Sequence, residues 1–378
     1  MQIEQRTWNG RGWLKPAPAG ASANAQLALV FASTAILDDR KTWAELATTY
    51  PRARIVGCST AGEIVGARVL DDTLVATAVT FAHSRIAIAA VQLGEAADGF
   101  ALGGLLASRL PADGLVHVLV LSHGLKVNGS ALVAGITTTL PRSVAVTGGL
   151  SADGARFART TVCLDGPEPS EQIVAIGLYG HRLRIGYGSL GGWDPFGPER
   201  RITRAVGNVL YELDGEPALD LYQRYLGEHA AGLPASGLRF PLAVRGPTGN
   251  GTPVIRLILS IDEAARTLTF AGDVPLGYRA RLMRADLERL VGGASGAATA
   301  SLGAPGSGPV ELAILISCVG RKLVLKQRVK EEVEAVREVL GNAVMTGFYS
   351  YGEISPFTSS AACELHNQTM TITTISER

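Results

Sequence analysis

The 378-residue sequence contains few cysteines, and they are widely separated. Its four cysteines, Cys58, Cys163, Cys318 and Cys363, form no CxxC pair and no local cluster with histidine. This spacing argues against a disulfide framework and against a zinc site, and it is typical of reduced, buried thiols. Walker loops, metalloprotease helices and calcium loops are also missing from the sequence.

The sequence also has almost no net charge and no long apolar run. Its 35 basic and 34 acidic residues leave a formal net charge of +1, which gives no electrostatic reason to expect nucleic acid or an anionic membrane as a partner. No stretch approaches the roughly 18 apolar residues of a membrane span, and the polar start, MQIEQRTWNGRGW, does not read as a signal peptide. We expect a soluble, cytoplasmic protein.

Opposite charges alternate in one segment near the C-terminus. The basic residues Arg321, Lys322, Lys326, Arg328 and Lys330 are followed directly by Glu331, Glu332 and Glu334. This pattern predicts a solvated helix face with local ion pairs.

Glycine, by contrast, is abundant, and one glycine turn occurs twice. GCSTAGEI at 57–64 and GFYSYGEI at 347–354 share glycine at the first and sixth positions, Ser or Thr at the fourth, and Glu-Ile at the end. A resemblance between turns almost 300 residues apart indicates an internal repeat.

The turn belongs to a longer unit that occurs three times. The copies begin with the apolar runs LALVFAS (27–33), LVHVLVLSHG (115–124) and ELAILISCVG (311–320), and each continues as helix, strand, glycine turn and strand. Further strand-like runs at 238–283 leave room for a fourth, degenerate unit. The sequence predicts an α/β (α+β mixed) fold, in which strand-helix-strand-strand units form a pseudo-symmetric two-domain body with mixed sheets.

Two stretches rich in small or turn-forming residues suggest how the chain is divided. GGWDPFGPERR (191–201) concentrates glycine and proline, and we place a boundary shortly after it. The predicted organisation is an N-terminal segment at 1–26, a first module at 27–215 and a second module at 216–378. GGASGAATASLGAPGSGP (292–309) is poor in bulky side chains and predicts a surface loop or linker.

The two glycine turns place polar side chains at the ends of buried strands. The candidates for a ligand site are Ser59, Thr60, Glu63, Tyr349, Ser350 and Glu353. One interpretation is a pocket where pseudo-symmetric strand ends converge. The other is that these groups only cap backbone amides and join strands.

Two glycine motifs resemble functional motifs but support neither nucleotide binding nor nucleophilic catalysis. GYGSLG (186–191) fits GxGxxG, but Pro195 and Pro198 follow where a dinucleotide fold needs a helix. GCSTAG is one residue too long for a nucleophile elbow.

A helix is predicted within EPALDLYQRYLGEHAAGLP (216–234). Tyr222, Tyr225, Leu226 and His229 recur at helical spacing, which would place them on one face. A histidine on an aromatic and aliphatic face is usually a packed, hydrogen-bonded core residue.

Several motifs together resemble a known family. IVGCSTAGEI, HGLKVNGSALVAG, VTGGLSADG and GYGSLGGWDPFGP are similar to the N-terminal FIST module. EPALDLYQRYLG, LPASGLRFPLAV, and GFYSYGEISP followed by LHNQTMTITTISE, are similar to the C-terminal FIST module. The family often has Asp where this chain has His123.

The resemblance implies a non-enzymatic sensory unit of bacterial signal transduction. Stand-alone proteins of this kind include haem-binding nitric-oxide sensors that regulate a separate histidine kinase or diguanylate cyclase. The resemblance therefore implies haem as cofactor, with His229 as metal ligand and Tyr222 and Tyr225 beside it, and a possible homodimer. The alternative is a haem-free sensor of a small metabolite such as an amino acid.

Overall fold

The computed structural model of the protein describes residues 1–14, 22–166, 171–249, 252–302, 308–357 and 362–378. Its fold is mixed α/β, which confirms the predicted class. Three sheets are built from the repeated units, and a fourth sheet, wholly antiparallel, is inserted into the last unit. Among the described residues, no helix is long and apolar enough to cross a membrane.

The first repeat has its opening buried strand at Leu27, as the sequence predicts. Its elements are β1 (Gln2–Trp8), β2 (Leu27–Ala32), α1 (Thr34–Leu37), α2 (Arg40–Thr49), β3 (Arg54–Ser59), β4 (Glu63–Val65), β5 (Arg68–Leu70) and β6 (Leu74–Thr80). The Asp39 side chain caps α2 by accepting hydrogen bonds from the N–H groups of Lys41 and Thr42.

The second repeat follows the same plan. Its elements are β7 (Arg85–Gln92), α3 (Gly99–Ser108), β8 (Leu115–Ser122), α4 (Gly129–Thr139), β9 (Ala145–Leu150), β10 (Val162–Leu164) and β11 (Gln172–Tyr179). The predicted asparagine cap is confirmed, because the Asn128 side chain accepts a hydrogen bond of 3.0 Å from the N–H of Ala131.

The third repeat is interrupted after its first strand, β12 (Leu183–Leu190), by an antiparallel sheet with its own helix. This inserted sheet comprises β13 (Trp193–Val206), β14 (Val209–Leu213), β15 (Glu216–Pro217), α5 (Ala218–Leu226), β16 (Leu242–Arg245), β17 (Val254–Arg256), β18 (Ile258–Asp262), β19 (Thr267–Phe270) and β20 (Arg279–Ala285). The strand-like runs at 238–283 belong to it, so the space considered for a fourth copy holds a different structure.

The third repeat resumes after the inserted sheet. Its remaining elements are α6 (Leu287–Ser301), β21 (Leu312–Cys318), α7 (Val319–Leu325), α8 (Val329–Leu340), β22 (Val344–Ser350), β23 (Gly352–Pro356), β24 (Cys363–His366) and β25 (Met370–Glu377).

In every repeat, the strand after the glycine turn leaves its own sheet and joins a neighbouring one. The three strand orders are β1-β6-β2-β3-β10, β7-β11-β8-β9-β23-β24 and β12-β25-β21-β22-β4-β5. Thus β4, β10 and β23 each pair beside a strand of another repeat. The repeated turn is therefore the crossover that connects the three sheets to one another.

The inner faces of the three sheets share one core. Leu29 of the first repeat, Leu121 of the second and Ile314 of the third are buried in the same cluster of side chains. Helices cover the outer faces, so the strands are apolar on both sides, as the continuous apolar runs predict.

The prediction of a loop at 292–309 is wrong for its first part, because residues up to Ser301 belong to α6. Residues 303–307 lie outside the described residues. The small side chains allow α6 to lie close against β12, the strand formed by the GYGSLG motif: a Cβ on Gly188 would lie 2.3 Å from the Ala297 carbonyl oxygen. Tight packing of small residues, rather than flexibility, explains both motifs.

Candidate functional site

The first and third glycine turns have the same internal hydrogen bonds. At the first, the Thr60 hydroxyl donates to Glu63 over 2.5 Å, and the Thr73 hydroxyl donates to the other carboxyl oxygen over 2.6 Å. At the third, Ser350 donates to Glu353 over 2.5 Å and Thr369 donates over 2.9 Å. Each turn is therefore closed by one buried carboxyl group that bridges two hydroxyl groups.

Burial dominates the proton affinity of both carboxyl groups. It raises the pKa of Glu63 to about 7 and that of Glu353 to about 8, although the hydroxyl donors act in the opposite direction. Three histidines change in the other sense, because burial lowers the pKa of His117 to about 3, that of His366 to about 4, and that of His123 as well.

We predict that the free energy of unfolding falls as the pH rises from 6.5 to about 8. In this range the folded chain holds protons on Glu63 and Glu353 that the unfolded chain has lost, so each carboxyl lowers stability by up to about 1.4 kcal/mol per pH unit. The buried histidines oppose this trend only below their ordinary pKa of 6.5. Urea unfolding at several pH values measures the slope, and Glu353→Gln should reduce it. An unchanged slope in that variant would contradict the assignment.

The turn of the second repeat differs from the other two. Gly154 occupies the place of the turn carboxylate, and the nearby Asp153 accepts hydrogen bonds from the N–H groups of Phe157, Ala158 and Arg159. The Tyr351 hydroxyl, from the third turn, also donates to Asp153. Burial alone would raise the pKa of Asp153, but these hydrogen bonds outweigh it and hold the pKa below its usual range.

The six predicted ligand residues are not brought together around an open space. Ser59, Thr60, Glu63, Tyr349, Ser350 and Glu353 are each at most 2% exposed. They line none of the described cavities. The Ser59 hydroxyl accepts a hydrogen bond from the Thr161 N–H, and the Tyr349 hydroxyl donates to Glu332 over 2.6 Å. These contacts fit the alternative that the turn residues hold the backbone.

A cavity of about 300 Å³ lies beside the third turn, between the second repeat and the inserted sheet. We call it the loop–sheet cavity. Its repeat wall consists of the loop 124–129 with Leu150, Phe157, Val319 and Tyr351, and its sheet wall consists of Asn208, Leu257, Leu259 and 270–272. The volume is at the lower end of the range for ligand pockets, roughly 300–1,000 Å³.

Two aromatic rings form a flat part of the repeat wall. Phe157 stacks on Tyr351 with ring centroids 4.4 Å apart and planes 11° from parallel. Phe157 has a positive φ of 51° and is 41% exposed, and the Tyr351 hydroxyl is held by Asp153. The crossover of the third repeat into the second sheet thus positions the aromatic surface of the cavity.

The loop that forms the repeat wall is held by His123. This imidazole is 4% exposed, and its Nδ1 accepts hydrogen bonds of 3.2 Å from the N–H groups of both Leu125 and Lys126. Burial lowers the pKa of His123, which favours the neutral ring that these bonds require. His123 therefore fixes the shape of this loop through two hydrogen bonds to its backbone.

The repeat wall of the cavity carries hydrogen-bond donors. The N-terminus of α4, an eleven-residue helix, reaches the wall at Gly129, and the first N–H groups of a helix have no partner within it. Lys126 pairs with Glu171, but both side chains are more than half exposed, so this ion pair is weak. The Asn128 amide donates to Asp273 over 2.9 Å and links the loop to the inserted sheet.

Little in the sequence pattern indicates this site. Tyr351 lies within the quoted turn, whereas the positions of Phe157 and Leu259 depend on the insertion of a sheet that the repeat pattern does not predict. Lys126 and Asn128 follow an apolar strand, which is the signal that could have identified them.

The predicted helix face with His229 does not form. Helix α5 ends at Leu226 because Gly227 has a positive φ of 55°, and His229 lies in a 3-10 turn (Gly227–Gly232). Its ring is exposed and packs at 5.4 Å from the ring of Phe240.

These residues do not fit a haem group. The Tyr222 side chain is buried and donates its hydroxyl hydrogen to the Phe240 carbonyl, and the Tyr225 hydroxyl accepts from Arg200 over 2.6 Å. None of the three predicted cofactor residues lines a described cavity, so they offer no apolar slot for a macrocycle.

Comparisons with known proteins give distant similarities. An uncharacterised protein of Methanocaldococcus jannaschii is 29% identical over 174 residues, which are 42% of this chain and 32% of that protein. The chain thus spans about a third of this curated relative. A cyanuric acid hydrolase, described as an evolutionary innovation by structural concatenation, matches over 100% of this chain and 99% of its own, with 11% identity and a TM-score of 0.31.

A second cyanuric acid hydrolase structure, from A. caulinodans, covers 78% of this chain and 99% of its own, with 12% identity and a TM-score of 0.19. Likenesses as low as these two carry no argument about activity.

Family models match most of the chain. A FIST N domain matches residues 26–216 and a FIST C domain matches residues 218–356. FIST domains imply a sensory, ligand-binding role in signalling. The chain therefore belongs to the FIST family, with one FIST N domain followed by one FIST C domain.

Proposed function

We propose that this FIST protein is a cytoplasmic, non-enzymatic sensor of a small carboxylate-bearing metabolite, such as an amino acid, bound in the loop–sheet cavity. A separate histidine kinase or diguanylate cyclase receives the signal. The observation that carries the proposal is the composition of the cavity wall, to which the second and third repeats contribute ten residues and the inserted sheet contributes six. A ligand there contacts two bodies at once, so it stabilises one relative arrangement over others, as a sensor requires.

The donors at one end of the cavity select a carboxylate. The α4 N-terminus carries partial positive charge, and Lys126 adds a full charge at the mouth. The Lys126–Glu171 pair can open at little cost because both partners are solvated. A ligand carboxylate would take the place of Glu171 beside Lys126.

The large apolar side chains of the cavity select an apolar body. Leu125, Phe157 and Leu259 line the same cavity and are 39%, 41% and 42% exposed, so they form a contiguous apolar surface rather than isolated exposed residues. A ligand side chain covering them would remove this surface from water and gain roughly 25 cal/mol per Å².

A haem-based nitric-oxide sensor is the competing form of the sensory function. It needs an imidazole with an open side and apolar walls, whereas His229 is exposed and outside the described cavities. We prefer the metabolite because the cavity is small and its donors suit an anion. An absorption spectrum of protein purified from haem-supplied cells separates the two, since a Soret band belongs to haem alone.

Calorimetric titration with a panel of amino acids tests the proposal. We expect apolar amino acids to bind and their decarboxylated amines not to bind, because the amines lack the group that α4 and Lys126 recognise. The bound compound should be recovered unchanged. Absence of binding by the whole panel, or conversion of the ligand, would contradict this function.

Shortening Leu259, an apolar side chain of the sheet wall, should weaken ligand binding without unfolding the protein. We predict that Leu259→Ala reduces the affinity for the best amino acid about tenfold, which corresponds to roughly 1.4 kcal/mol. The matched control is Leu302→Ala, because Leu302 is similarly exposed at 39% but does not line the cavity. Equal affinities for the two variants would place the ligand elsewhere.

A further inference from the structure

Two neighbouring strands of the inserted sheet are unusually rich in arginine. Strands β13 and β20 carry six arginines, Arg200, Arg201, Arg204, Arg279, Arg281 and Arg284. Their only acidic residues are Asp194 and Glu199, in a chain whose total charge is nearly zero. Positive charge is therefore concentrated on this part of the surface.

Three arginines lie directly opposite one another across adjacent strands. Arg201 of β13 pairs in register with Arg279 of β20, which in turn pairs with Arg245 of β16. We call Arg201, Arg279 and Arg245 the arginine row. Like charges that face each other across strands destabilise a sheet, so folding alone gives no reason for this arrangement.

The neighbouring acids neutralise only part of the charge. Glu199 accepts hydrogen bonds from Arg245 and, over 3.1 Å, from Arg279. Asp214 accepts from the Arg200 side chain over 3.2 Å and from the backbone N–H of Arg201 over 2.8 Å. Four arginines against two carboxylates leave two positive charges.

The Arg201 guanidinium differs from the other two members of the arginine row. Within the described part of the chain it makes no hydrogen bond or ion pair. The row borders a cavity of about 440 Å³ that is lined by Arg200, Arg201 and Arg279, by the carboxylates Glu199 and Asp214, and by Pro247 and Gly277. Space for a ligand and unused donors therefore occur at the same place.

We propose that the arginine row binds a phosphate group. A phosphate dianion matches the two uncompensated charges and offers several acceptor oxygens to guanidinium forks. A single carboxylate is the poorer match, because Glu199 already supplies one and the excess charge remains. This site is separate from the loop–sheet cavity and does not depend on the sensory ligand.

Titration with inorganic phosphate, against chloride of equal ionic strength, tests this proposal. We expect phosphate to bind and to raise the melting temperature, and Arg201→Gln to weaken binding about tenfold. Arg201→Gln without phosphate should melt at or above the wild-type temperature, because it removes a like-charge contact. Arg142→Gln, at another exposed arginine, is the control and should bind phosphate as the wild type does.

A phosphoserine peptide and its unphosphorylated form distinguish the source of the phosphate. Tighter binding of the phosphorylated peptide than of inorganic phosphate identifies a modified protein partner, and equal or weaker binding identifies a free phosphate compound. Phosphate binding that is undetectable, or equal in wild type and Arg201→Gln, would overturn the proposal. A lower melting temperature of the phosphate-free variant would show that Arg201 supports the fold instead.

Discussion

Replacing Gly347 with valine is expected to abolish folding. A Cβ at this position would lie 1.8 Å from the carbonyl oxygen of Leu315 on the adjacent parallel strand, closer than any real contact. The equivalent glycines behave alike: a Cβ on Gly57 would lie 2.4 Å from the Val30 oxygen, and one on Gly148 would lie 2.0 Å from the Val120 oxygen. Close approach of two backbones is the requirement common to all three repeats.

Circular dichroism and thermal melting measure this effect. The matched control is Gly94→Val, because Gly94 is exposed and has nothing within 4 Å of an added Cβ. A Gly347→Val variant that melts like the Gly94→Val control would show that the strands do not pack as described.

Replacing Arg321 with methionine is expected to cost about 3–5 kcal/mol of stability. Arg321 and Glu332 are wholly buried and are joined by hydrogen bonds of 2.7 and 3.0 Å, and the Tyr349 hydroxyl also donates to Glu332. Arg321 donates to the Leu290 carbonyl over 2.7 Å as well, which connects α7 to α6. Removing the cation leaves an uncompensated carboxylate in the interior.

Urea unfolding of three variants separates the charge from the packing. Arg321→Met/Glu332→Leu should recover part of the lost stability, because the buried charge is gone. Arg328→Met is the control, since its partners Glu331 and Glu288 are exposed or half-exposed and such pairs contribute at most about 1 kcal/mol. Equal losses for Arg321→Met and Arg328→Met would contradict the account of the buried pair.

The buried pair also shows a limit of reading charge from sequence. The run from Arg321 to Glu334 predicts a solvated helix face, and this holds for Arg328 with Glu331. It is wrong for Arg321 and Glu332, which are fully buried. Alternating charges look the same in sequence whether water or another helix covers them.

The repeat was predictable because its causes are local. Apolar runs, a helix cap at Asn128 and glycines at strand crossings occur in the same order in each copy, and the structure places each strand close to its predicted position. The exchange of strands between sheets was not predictable, because pairing of β4 with β22 joins segments almost 300 residues apart. The loop–sheet cavity depends on that exchange and on the inserted sheet.

The predicted ligand residues are buried and do not line the loop–sheet cavity. Thr60, Glu63, Ser350 and Glu353 are polar residues at strand ends. The sequence does not show whether such side chains bond to each other in the interior or line an open pocket. The structure shows that these side chains bond to each other, while Tyr351, next to Ser350, is the turn residue that reaches the cavity.

Hydrogen exchange with and without the amino acid that binds best tests the central claim most directly. The account predicts slower exchange on both walls of the loop–sheet cavity, at 124–129 and at 257–272, because the ligand connects them. The turn around His229, at 227–232, should exchange as before. Protection confined to 227–232, with neither cavity wall affected, would contradict the claim that this cavity is the sensory site.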